Sequence, residues 1–544
     1  MAVYDVLNAP LLEEDSSSYG NSSSFGSSSL SHNENILLPV EGTYDSMFDG
    51  NTASTRNGVD NTSICKSYFY GQLANVTKSA VWWSMIGVLV NNFTSSYYGL
   101  AVTRCAFNVA LILGSFVANL IAEVVNIRKL LCVTTMCRLV IWSVFIPLFY
   151  SASRKLYRYP AETKTNLNAE TYSMERPFWV LFVILMVVDG FQVSLSNTVD
   201  LDYEGVDRIS HQYDIIVPDS LHQHMNNVYQ MVFDFSFIFV SVPLGLLIML
   251  LDRNTDLGDQ FILIGVFDLV FFLLSMVSLT FYVFGMPVIK SSQYLAYARN
   301  LSLSLFSVLS EFFSKLKDNR DGFKIMLMKP HLMRKLLYFS FETAYENSIY
   351  LLIIPQLAYN NKWFPNMGTS GVNLFCVCLI SLSKLGTSIY GIYITNKIKN
   401  DSSDNLYRSK PGTIIKCLLF SSFAVLLLPV SLMFEDLPYF KWLSLTLLSV
   451  SLFLFFMFTT LPKITYSSIL QYNISNHPLS YKLFDFVGTF ITLVDAFVIF
   501  GLSFLLRFPG GEITTEKILI YTSVSYVVYA IVQIVMEVMR PSNL

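Results

Sequence analysis

Residues 260–285 read QFILIGVFDLVFFLLSMVSLTFYVFG, an apolar run whose one charged residue is Asp268. A helix of about 20 such residues crosses the ~30 Å hydrocarbon core of a bilayer. Because lipid offers the backbone no hydrogen-bond partners, a run of this kind is stable there as a helix, which satisfies its own N–H and C=O groups. Comparable runs recur along the 544 residues, and they predict an all-α polytopic membrane protein with twelve membrane-spanning helices.

The predicted spans form two sets of six separated by a polar bridge. Residues 1–75 are rich in Ser and Asn and are expected to be a disordered cytoplasmic tail. Residues 76–285 are predicted to form an N-terminal six-helix bundle, 286–333 a cytoplasmic linker, and 334–540 a C-terminal six-helix bundle. The spans are placed near residues 79–99, 101–124, 130–150, 178–199, 228–251, 260–285, 334–356, 370–396, 413–434, 439–461, 483–506 and 516–539.

The composition excludes several classes of protein. Hydrophobic residues make up 53% of the chain and charged residues 14%, whereas a soluble protein carries about 25% charged residues. The net charge of −3 provides no basic field for nucleic acid. The seven cysteines are an odd number and lie mostly in apolar runs, which indicates packing residues and not a disulfide framework. We expect neither an enzyme nor a cofactor; the expected partners are the lipid bilayer and a small-molecule or ion substrate, and the expected state is a monomer.

Basic residues orient the predicted spans. Placing the N-terminus inside puts most loop Lys and Arg residues on the inner side, with the largest group in the linker, which agrees with the positive-inside rule. Both termini are therefore predicted to be cytoplasmic, in either the plasma membrane or an internal membrane. Within the linker, residues 294–317 alternate apolar and polar side chains with helical spacing, which predicts an amphipathic helix on the membrane surface.

The turn between the second and third spans carries a family pattern. In the major facilitator superfamily it reads Gly, three residues, Asp-Arg, one residue, Gly and two basic residues; here residues 119–129 read NLIAEVVNIRK. Glu123 stands at the acid, Asn126 at the second Gly, and Arg128 and Lys129 at the basic pair, whereas the first Gly and the Arg are absent. The chain resembles this superfamily, which implies a cavity between two bundles, lined by the first, fourth, seventh and tenth helices.

Three short stretches are similar to the ferroportin family (solute carrier family 40) within that superfamily. They are Ser79–Trp83 at the start of the first span, Phe341-Glu342 in the seventh, and Leu470–Ile474 after the tenth; Asp495 also falls near an Asp of that family. The resemblance implies transport of a metal cation, with iron as the cargo.

The side chains of that family's iron site are replaced in this chain. The family uses an acid and a His in the first span, a Cys in the seventh and a His in the eleventh. Here Ala80, Thr343 and Val498 stand near the acid, the Cys and the last His, and none of the six histidines lies in a predicted span. Iron prefers imidazole and thiolate, so a cation carried here would need carboxylate ligands, which suit harder ions or protons.

Charged residues inside the predicted spans are the candidate transport pathway, because charge within hydrocarbon usually faces the bundle interior or water. Glu342 and Glu346 in the seventh span are four residues apart and share one helix face. We interpret them as a site for a proton, a cation or a substrate amine; the alternative is a polar helix end. Asp189 in the fourth span either faces the cavity or is tied to Arg138 or Arg104.

Two further groups complete the candidate residues. Asp495 in the eleventh span and Lys384 in the eighth could pair with each other, as a structural tie or as a coupling site. The predicted pathway comprises Glu342, Glu346, Asp189, Asp495, Arg138 and Lys384. A predicted cytoplasmic gate joins the basic turn to the acidic turn after the fourth span, the alternative being a solvated loop; it comprises Glu123, Arg128, Lys129 and Asp200.

Two classes of function agree with these residues. The first is a secondary-active transporter that works by alternating access and is driven by a proton or cation gradient. Its substrate would be a ferroportin-like metal cation or a small organic solute such as an amino acid or other nutrient. The second is a non-transporting membrane receptor or scaffold, which would have no water-filled cavity at the membrane midplane.

Overall fold

A computed structural model describes most of the chain beyond its first 60 residues. The described residues are 61–94, 97–124, 127–147, 171–196, 231–254, 259–285, 305–359, 363–364, 369–400, 411–434, 439–475, 479–505 and 515–539. Over these ranges the chain is helical apart from short turns and contains no strand. The predicted tail lies outside them up to residue 60.

The first six helices form the N-terminal set, α1–α6, and they correspond to the first six predicted spans. Four of the thirteen helices described here contain a π-helical turn, three of them in this set. The bounds are Asn61–Thr94 (α1), Tyr97–Val124 (α2), Ile127–Val140 continued by a π-helical turn at Ile141–Phe145 (α3), Thr171–Ser196 (α4), residues 231–254 with a π-helical turn at Phe237–Ser241 before Val242–Asn254 (α5), and Asp259–Thr280 continued by a π-helical turn at Phe281–Gly285 (α6).

A bridge helix, α7 (Leu305–Met328), precedes the C-terminal set, α8–α13. Helix α8 carries the fourth π-helical turn, which lies in the middle of the candidate site described below. The bounds of the C-terminal set are Pro330–Ser348, a π-helical turn at Ile349–Ile353 and Ile354–Tyr359 (together α8), Thr369–Asn400 (α9), Pro411–Met433 (α10), Lys441–Ser475 (α11), Ser480–Leu505 (α12) and Thr515–Met539 (α13).

Seven of the described helices are long and apolar enough to cross a bilayer by themselves: α5, α6 and α9–α13. Helices α2 and α4 contain shorter apolar stretches, Ala101–Phe116 and Val180–Leu195. The remaining helices carry polar side chains that lower their hydropathy. In α1 and α8 many of these polar side chains are buried against other helices, Lys78 and Glu342 among them, so the chain is a multi-pass membrane protein with a polar interior.

Two elements differ from the sequence-based expectation. Helix α1 begins at Asn61, well before the predicted start at residue 79. The residues between carry Gln72, Asn75 and Lys78, which lowered the hydropathy of the segment, yet all three are buried. The bridge helix is described at Leu305–Met328, so it overlaps the predicted helix at 294–317 and continues past the predicted end. Residues 294–304 are outside the described ranges.

The helices pack chiefly within their own set, and two main contacts join the sets. In the N-terminal set α2 packs along α4 and α1 along α6; in the C-terminal set α10 and α9 pack along α11, and α8 along α12. Helices α2 and α12 meet at one contact between the sets, and α5 and α9 meet at the other. These two contacts, the α2–α12 seam and the α5–α9 seam, border the candidate site.

Close packing in the N-terminal set depends on a glycine. A Cβ atom added to Gly190 of α4 would lie 2.5 Å from the carbonyl oxygen of Phe107 on α2. Small residues at such places let helix backbones approach closely in a membrane, where packing and not the hydrophobic effect holds helices together. Gly265 of α6, in contrast, has no atom within 4 Å of its added Cβ atom.

Gly190→Ala should therefore destabilise the protein, because α2 and α4 must separate to admit the methyl group. Overpacking of this kind costs about 1–3 kcal/mol, which should lower the midpoint of thermal unfolding of the detergent-solubilised chain by several degrees. Gly265→Ala is the matched control and should leave the midpoint unchanged. Equal midpoints for the two variants would contradict the close α2–α4 contact.

Candidate functional site

Helix α8 carries the two predicted glutamates in its buried middle. Glu342 and Glu346 are 0% and 5% exposed. Residues four apart differ by about 40° around a helix, and this small rotation directs the two carboxylates to different neighbours. Glu346 faces α11, and Glu342 faces α13.

The carboxylate of Glu346 is held by two groups of α11. Thr459 Oγ1 donates a hydrogen bond of 2.6 Å to Oε1, and Lys463 Nζ lies 3.2 Å from Oε2. The Lys463 side chain is 28% exposed, whereas that of Glu346 is 7% exposed. Lys463 thus contacts the buried acid on one side and is partly exposed on the other. The ion pair lies at the boundary between buried and exposed residues.

The carboxylate of Glu342 has hydroxyl contacts and no ion pair among the described residues. Tyr526 of α13 donates a hydrogen bond of 2.9 Å to Oε1, and Ser421 Oγ of α10 lies 2.9 Å from the same tyrosine oxygen. Oε2 has no hydrogen-bond partner among the described residues. An unbalanced carboxylate at a buried position is costly, so Glu342 is a group whose charge another species must balance.

The α2–α12 seam contains a buried ion pair. Arg104 donates to Asp495 Oδ2 through Nε at 3.2 Å and Nη2 at 3.0 Å, and the guanidinium lies 4.3 Å from the Trp83 ring centroid on α1. Asn108 Nδ2 also donates to Oδ2, at 2.7 Å. Asn347 of α8 donates to the other oxygen, Oδ1, at 2.9 Å. Asp495 thus joins three helices from both sets.

The α5–α9 seam contains a second buried ion pair, with the signs reversed between the sets. Lys384 Nζ of α9 lies 3.9 Å from Asp234 Oδ1 of α5, and both side chains are buried. The ammonium group also lies over aromatic rings, 4.7 Å from the Tyr350 centroid and 5.8 Å from that of Phe237. Both rings belong to π-helical turns, which often occur at functional sites.

Helix α8 connects the two seams through consecutive contacts. Asn347 donates to Asp495 in the first seam, and Tyr350 donates a 2.6 Å hydrogen bond to Asn347 Oδ1. The Tyr350 ring then faces Lys384 of the second seam. One turn of α8 therefore touches both ion pairs that join the sets, and it follows directly after Glu346.

The pairing of Lys384 with Asp495 predicted as one possibility is wrong. Asp495 binds Arg104, and Lys384 binds Asp234. The pairing of Asp189 with Arg138 is confirmed: Arg138 Nε donates to Asp189 Oδ1 at 3.1 Å, and both side chains are buried. That pair joins α3 to α4 inside the N-terminal set, so its contacts are separate from those of the glutamates.

Half of the predicted gate lies outside the described residues, namely Asp200 and the side chain of Glu123. Arg128 donates to the backbone oxygen of Val283 on α6, and Lys129 is exposed. The charge network of the gate stays a prediction.

Three contributors to the site were missed on sequence: Lys463, Asn347 and Tyr350. Lys463 lies beyond the predicted end of the tenth span at residue 461, but α11 continues to Ser475. The feature of the sequence that could have identified Lys463 is its place four residues after Thr459, on a helix that continues past the apolar run. Asn347 and Tyr350 are uncharged, and only their partners show their role.

Lys78, 1% exposed on α1, was missed because the predicted span began one residue later.

The described residues contain no group of three or more His, Cys, Asp or Glu side chains that could hold a metal ion. At two of the positions similar to those of the ferroportin site, the side chains of Ala80 and Val498 are buried and apolar. The ferroportin-like part of the prediction therefore gains no support from the geometry.

Comparisons with known proteins identify the fold. No protein-family model and no curated protein matches the chain in sequence. A mutant of the nucleoside transporter NupG superposes with a TM-score of 0.53 at 10% identity, over 86% of this chain and 99% of that one. The xylose transporter XylE from E. coli, partially occluded and inward open, gives 0.51 at 12%, over 86% and 96%; XylE is a proton:xylose symporter of the major facilitator superfamily. A structure of proton dependent oligopeptide transporters gives 0.52 at 10%, over 88% and 97%.

This chain has the major facilitator fold. Its α1, α4, α8 and α11 are then the helices expected to line a central cavity. The Glu346–Lys463 pair joins two of these four helices, α8 and α11, whereas Tyr526, the partner of Glu342, lies on α13. Glu346 is therefore the predicted acid whose ion pair joins two of the expected cavity helices, and Glu342 contacts a helix outside that group.

The Arg104–Asp495 pair should be a tie between the sets that shows strong energetic coupling. Arg104→Gln alone leaves a buried carboxylate unpaired, and Asp495→Asn alone leaves a buried guanidinium unpaired; each loss costs about 3–5 kcal/mol. The double variant removes both charges and should unfold, in thermal denaturation in detergent, at a higher temperature than either single variant. Additive effects of the two changes would contradict the pairing.

Proposed function

We propose that this protein is a secondary-active transporter that moves a small polar organic solute by alternating access between its two helix sets. The observation that supports this most is the Glu346–Lys463 pair, which lies between two expected cavity helices and is open on the lysine side. Charge facing lipid would be costly, so the 28% exposure of Lys463 favours a water-filled path. A receptor or scaffold has no need of such a path.

The surroundings of this pair favour an organic solute. Glu346 and Asp234 are each balanced by a lysine and Asp495 by Arg104, so at these carboxylates a metal ion would have to displace a cationic side chain. A solute carrying hydroxyl, amine or acid groups can exchange hydrogen bonds with both charges instead.

Aromatic side chains stand beside the pair. The Tyr350 and Phe456 rings, one turn from Glu346 and Thr459, have centroids 6.3 Å apart, and Trp83 lies 6.0 Å from Tyr350. Such rings provide flat apolar surfaces for the body of a solute, while polar groups fix its orientation. The solved proteins with this fold are named for nucleoside, xylose and oligopeptide transport, which agrees with this chemical class.

Transport assays with the protein in liposomes test the proposal and its competitors together. A panel of radiolabelled nucleosides, pentoses, amino acids, short peptides, iron and manganese separates organic solutes from the ferroportin-like alternative. Uptake of an organic member supports the proposal, and uptake of metal alone overturns it. A correctly folded chain that transports no member would favour the receptor or scaffold class.

Glu346→Gln should lower the uptake of the identified solute by about tenfold or more, which corresponds to about 1.4 kcal/mol of lost binding or transition-state energy. The change keeps the shape of the side chain and its contact with Thr459 but removes the charge that holds Lys463. Glu516→Gln, at an exposed acid in the first turn of α13, is the matched control and should transport normally. Unchanged uptake by Glu346→Gln, at equal amounts of protein, would remove this residue from the site.

We propose a proton as the coupling ion and Glu342 as its acceptor. Of the other acids within the spans, four have a cationic partner: Asp189, Asp234, Glu346 and Asp495. Among the described residues, Glu342 has only hydroxyl contacts, and its buried Oε2 atom has no hydrogen-bond partner, so a bound proton can balance its charge.

Glu342→Gln should uncouple transport from the proton gradient, because the amide imitates the protonated acid and cannot release the proton. Exchange of labelled for unlabelled solute should persist, whereas accumulation driven by an imposed pH gradient should disappear. Both are measured in the same liposomes. Accumulation at the level of the unmodified chain would contradict the assignment, and loss of exchange as well would make Glu342 part of the solute site.

A further inference from the structure

The bridge helix α7 crosses the ends of the two helices of the α2–α12 seam. On the N-terminal set, the Phe312 ring meets Phe116 of α2 edge to face, with centroids 5.2 Å apart. On the C-terminal set, Lys482 Nζ of α12 lies 3.0 Å from Asp318 Oδ1. A Cβ atom added to Gly322 would lie 2.6 Å from the carbonyl oxygen of Lys482, so α7 is pressed directly against the start of α12.

The opposite face of α7 is an exposed apolar stripe. Its large side chains follow one another at helical spacings of four, three, seven and four residues, which places them along one side of the helix. They are Leu309, Phe313, Leu316, Phe323 and Leu327, from 40% to 65% exposed. Exposed apolar side chains in such a contiguous row mark an interaction surface.

The charges of α7 are distributed between its two sides. Asp318 and Asp321 turn toward Lys482, with Lys482 Nζ 3.6 Å from Asp321 Oδ2. Lys317 and Lys324 are exposed. Arg320 is exposed as well, although its Nε lies 3.8 Å from Asp321 Oδ1. Arg320 falls in the gap of seven residues between Leu316 and Phe323, so the surface that α7 leaves uncovered is an apolar stripe that Arg320 interrupts and that Lys317 and Lys324 flank.

We propose that this surface of α7 docks on the anionic phospholipid headgroups of the adjacent leaflet. The apolar stripe inserts at the boundary between headgroups and acyl chains, and the neighbouring lysines contact lipid phosphates and carboxylates, which is the chemistry of interfacial basic helices. Charge complementarity favours anionic lipid over a zwitterionic surface. Because α7 contacts both α2 and α12, its binding to the leaflet links the lipid to the seam that joins the two helix sets.

Quenching by brominated lipid tests the docking without any transport assay. A tryptophan is introduced by Phe313→Trp in the full chain, which is reconstituted in liposomes of phosphatidylcholine with a fraction of phosphatidylglycerol. In one sample the phosphatidylglycerol carries bromine on its acyl chains, and in the other sample the phosphatidylcholine does. The fluorescence of the unmodified chain is subtracted to remove the contribution of its native tryptophans. Quenching of the reporter by brominated phosphatidylglycerol should exceed that by brominated phosphatidylcholine at equal fractions.

Two pairs of lysine substitutions separate this surface from general charge effects. Lys317→Gln with Lys324→Gln, in the reporter chain, should lower the preference for phosphatidylglycerol by about fivefold or more. Lys416→Gln with Lys517→Gln removes two exposed lysines elsewhere and should leave the preference unchanged. All four side chains are exposed, so the folded structure should persist, which thermal unfolding verifies.

Three results would overturn the proposal. Equal quenching by the two brominated lipids would show a surface that is interfacial but not selective for anionic headgroups. Absence of quenching by both lipids would place the stripe in water or under another protein. A preference that survives the loss of Lys317 and Lys324 would assign the selectivity to other residues.

Discussion

Charge buried among apolar helices is stabilised by an opposite charge on a neighbouring helix, and this constraint orders much of the interior of the molecule. Four ion pairs meet it: Arg138 with Asp189, Arg104 with Asp495, Lys384 with Asp234, and Lys463 with Glu346. Removing water from a charge costs several kcal/mol, and only a well-placed partner offsets this cost. Each pair therefore fixes which faces of two helices meet, something that apolar packing alone specifies poorly in lipid.

The two pairs at the seams have a different consequence from the two within the sets. Arg104–Asp495 and Lys384–Asp234 hold the sets together with opposite polarity, so each set presents one cation and one anion to the other. Asn347 and Tyr350 of α8 touch both pairs. Glu346 directly precedes Asn347 in α8, so its ion pair with Lys463 is adjacent to the groups that hold the sets in this arrangement.

Glu342 and α7 extend this arrangement in two directions. Within the C-terminal set, Glu342 lies among hydroxyl groups of α10 and α13. The bridge helix α7 rests on the seam between α2 and α12. The same seam therefore meets the buried ion pair inside the bundle and the bridge helix at its end.

The sequence by itself determined the class of fold. Apolar runs of about 20 residues can be stable in lipid only as helices, and the degenerate turn at residues 119–129 pointed to the major facilitator fold that the structural comparisons show. It also identified most of the buried charges, since hydrocarbon makes each of them conspicuous. Its least accurate element bounds were those of α1 and α7, because polar side chains that face other helices look like loop or surface residues when the partner helix is unknown.

Only the tertiary structure decided which charges meet. The sequence allowed Lys384 to pair with Asp495, yet the two residues lie in different seams. Lys384 pairs with Asp234, and Asp495 pairs with Arg104. Spacing along one helix shows which side chains share a face, as for Glu342 and Glu346, but a rotation of about 40° sent the two carboxylates to different helices. The neighbour of each face depends on how distant segments pack, and uncharged groups such as Asn347 and Tyr350 become part of the site only through that packing.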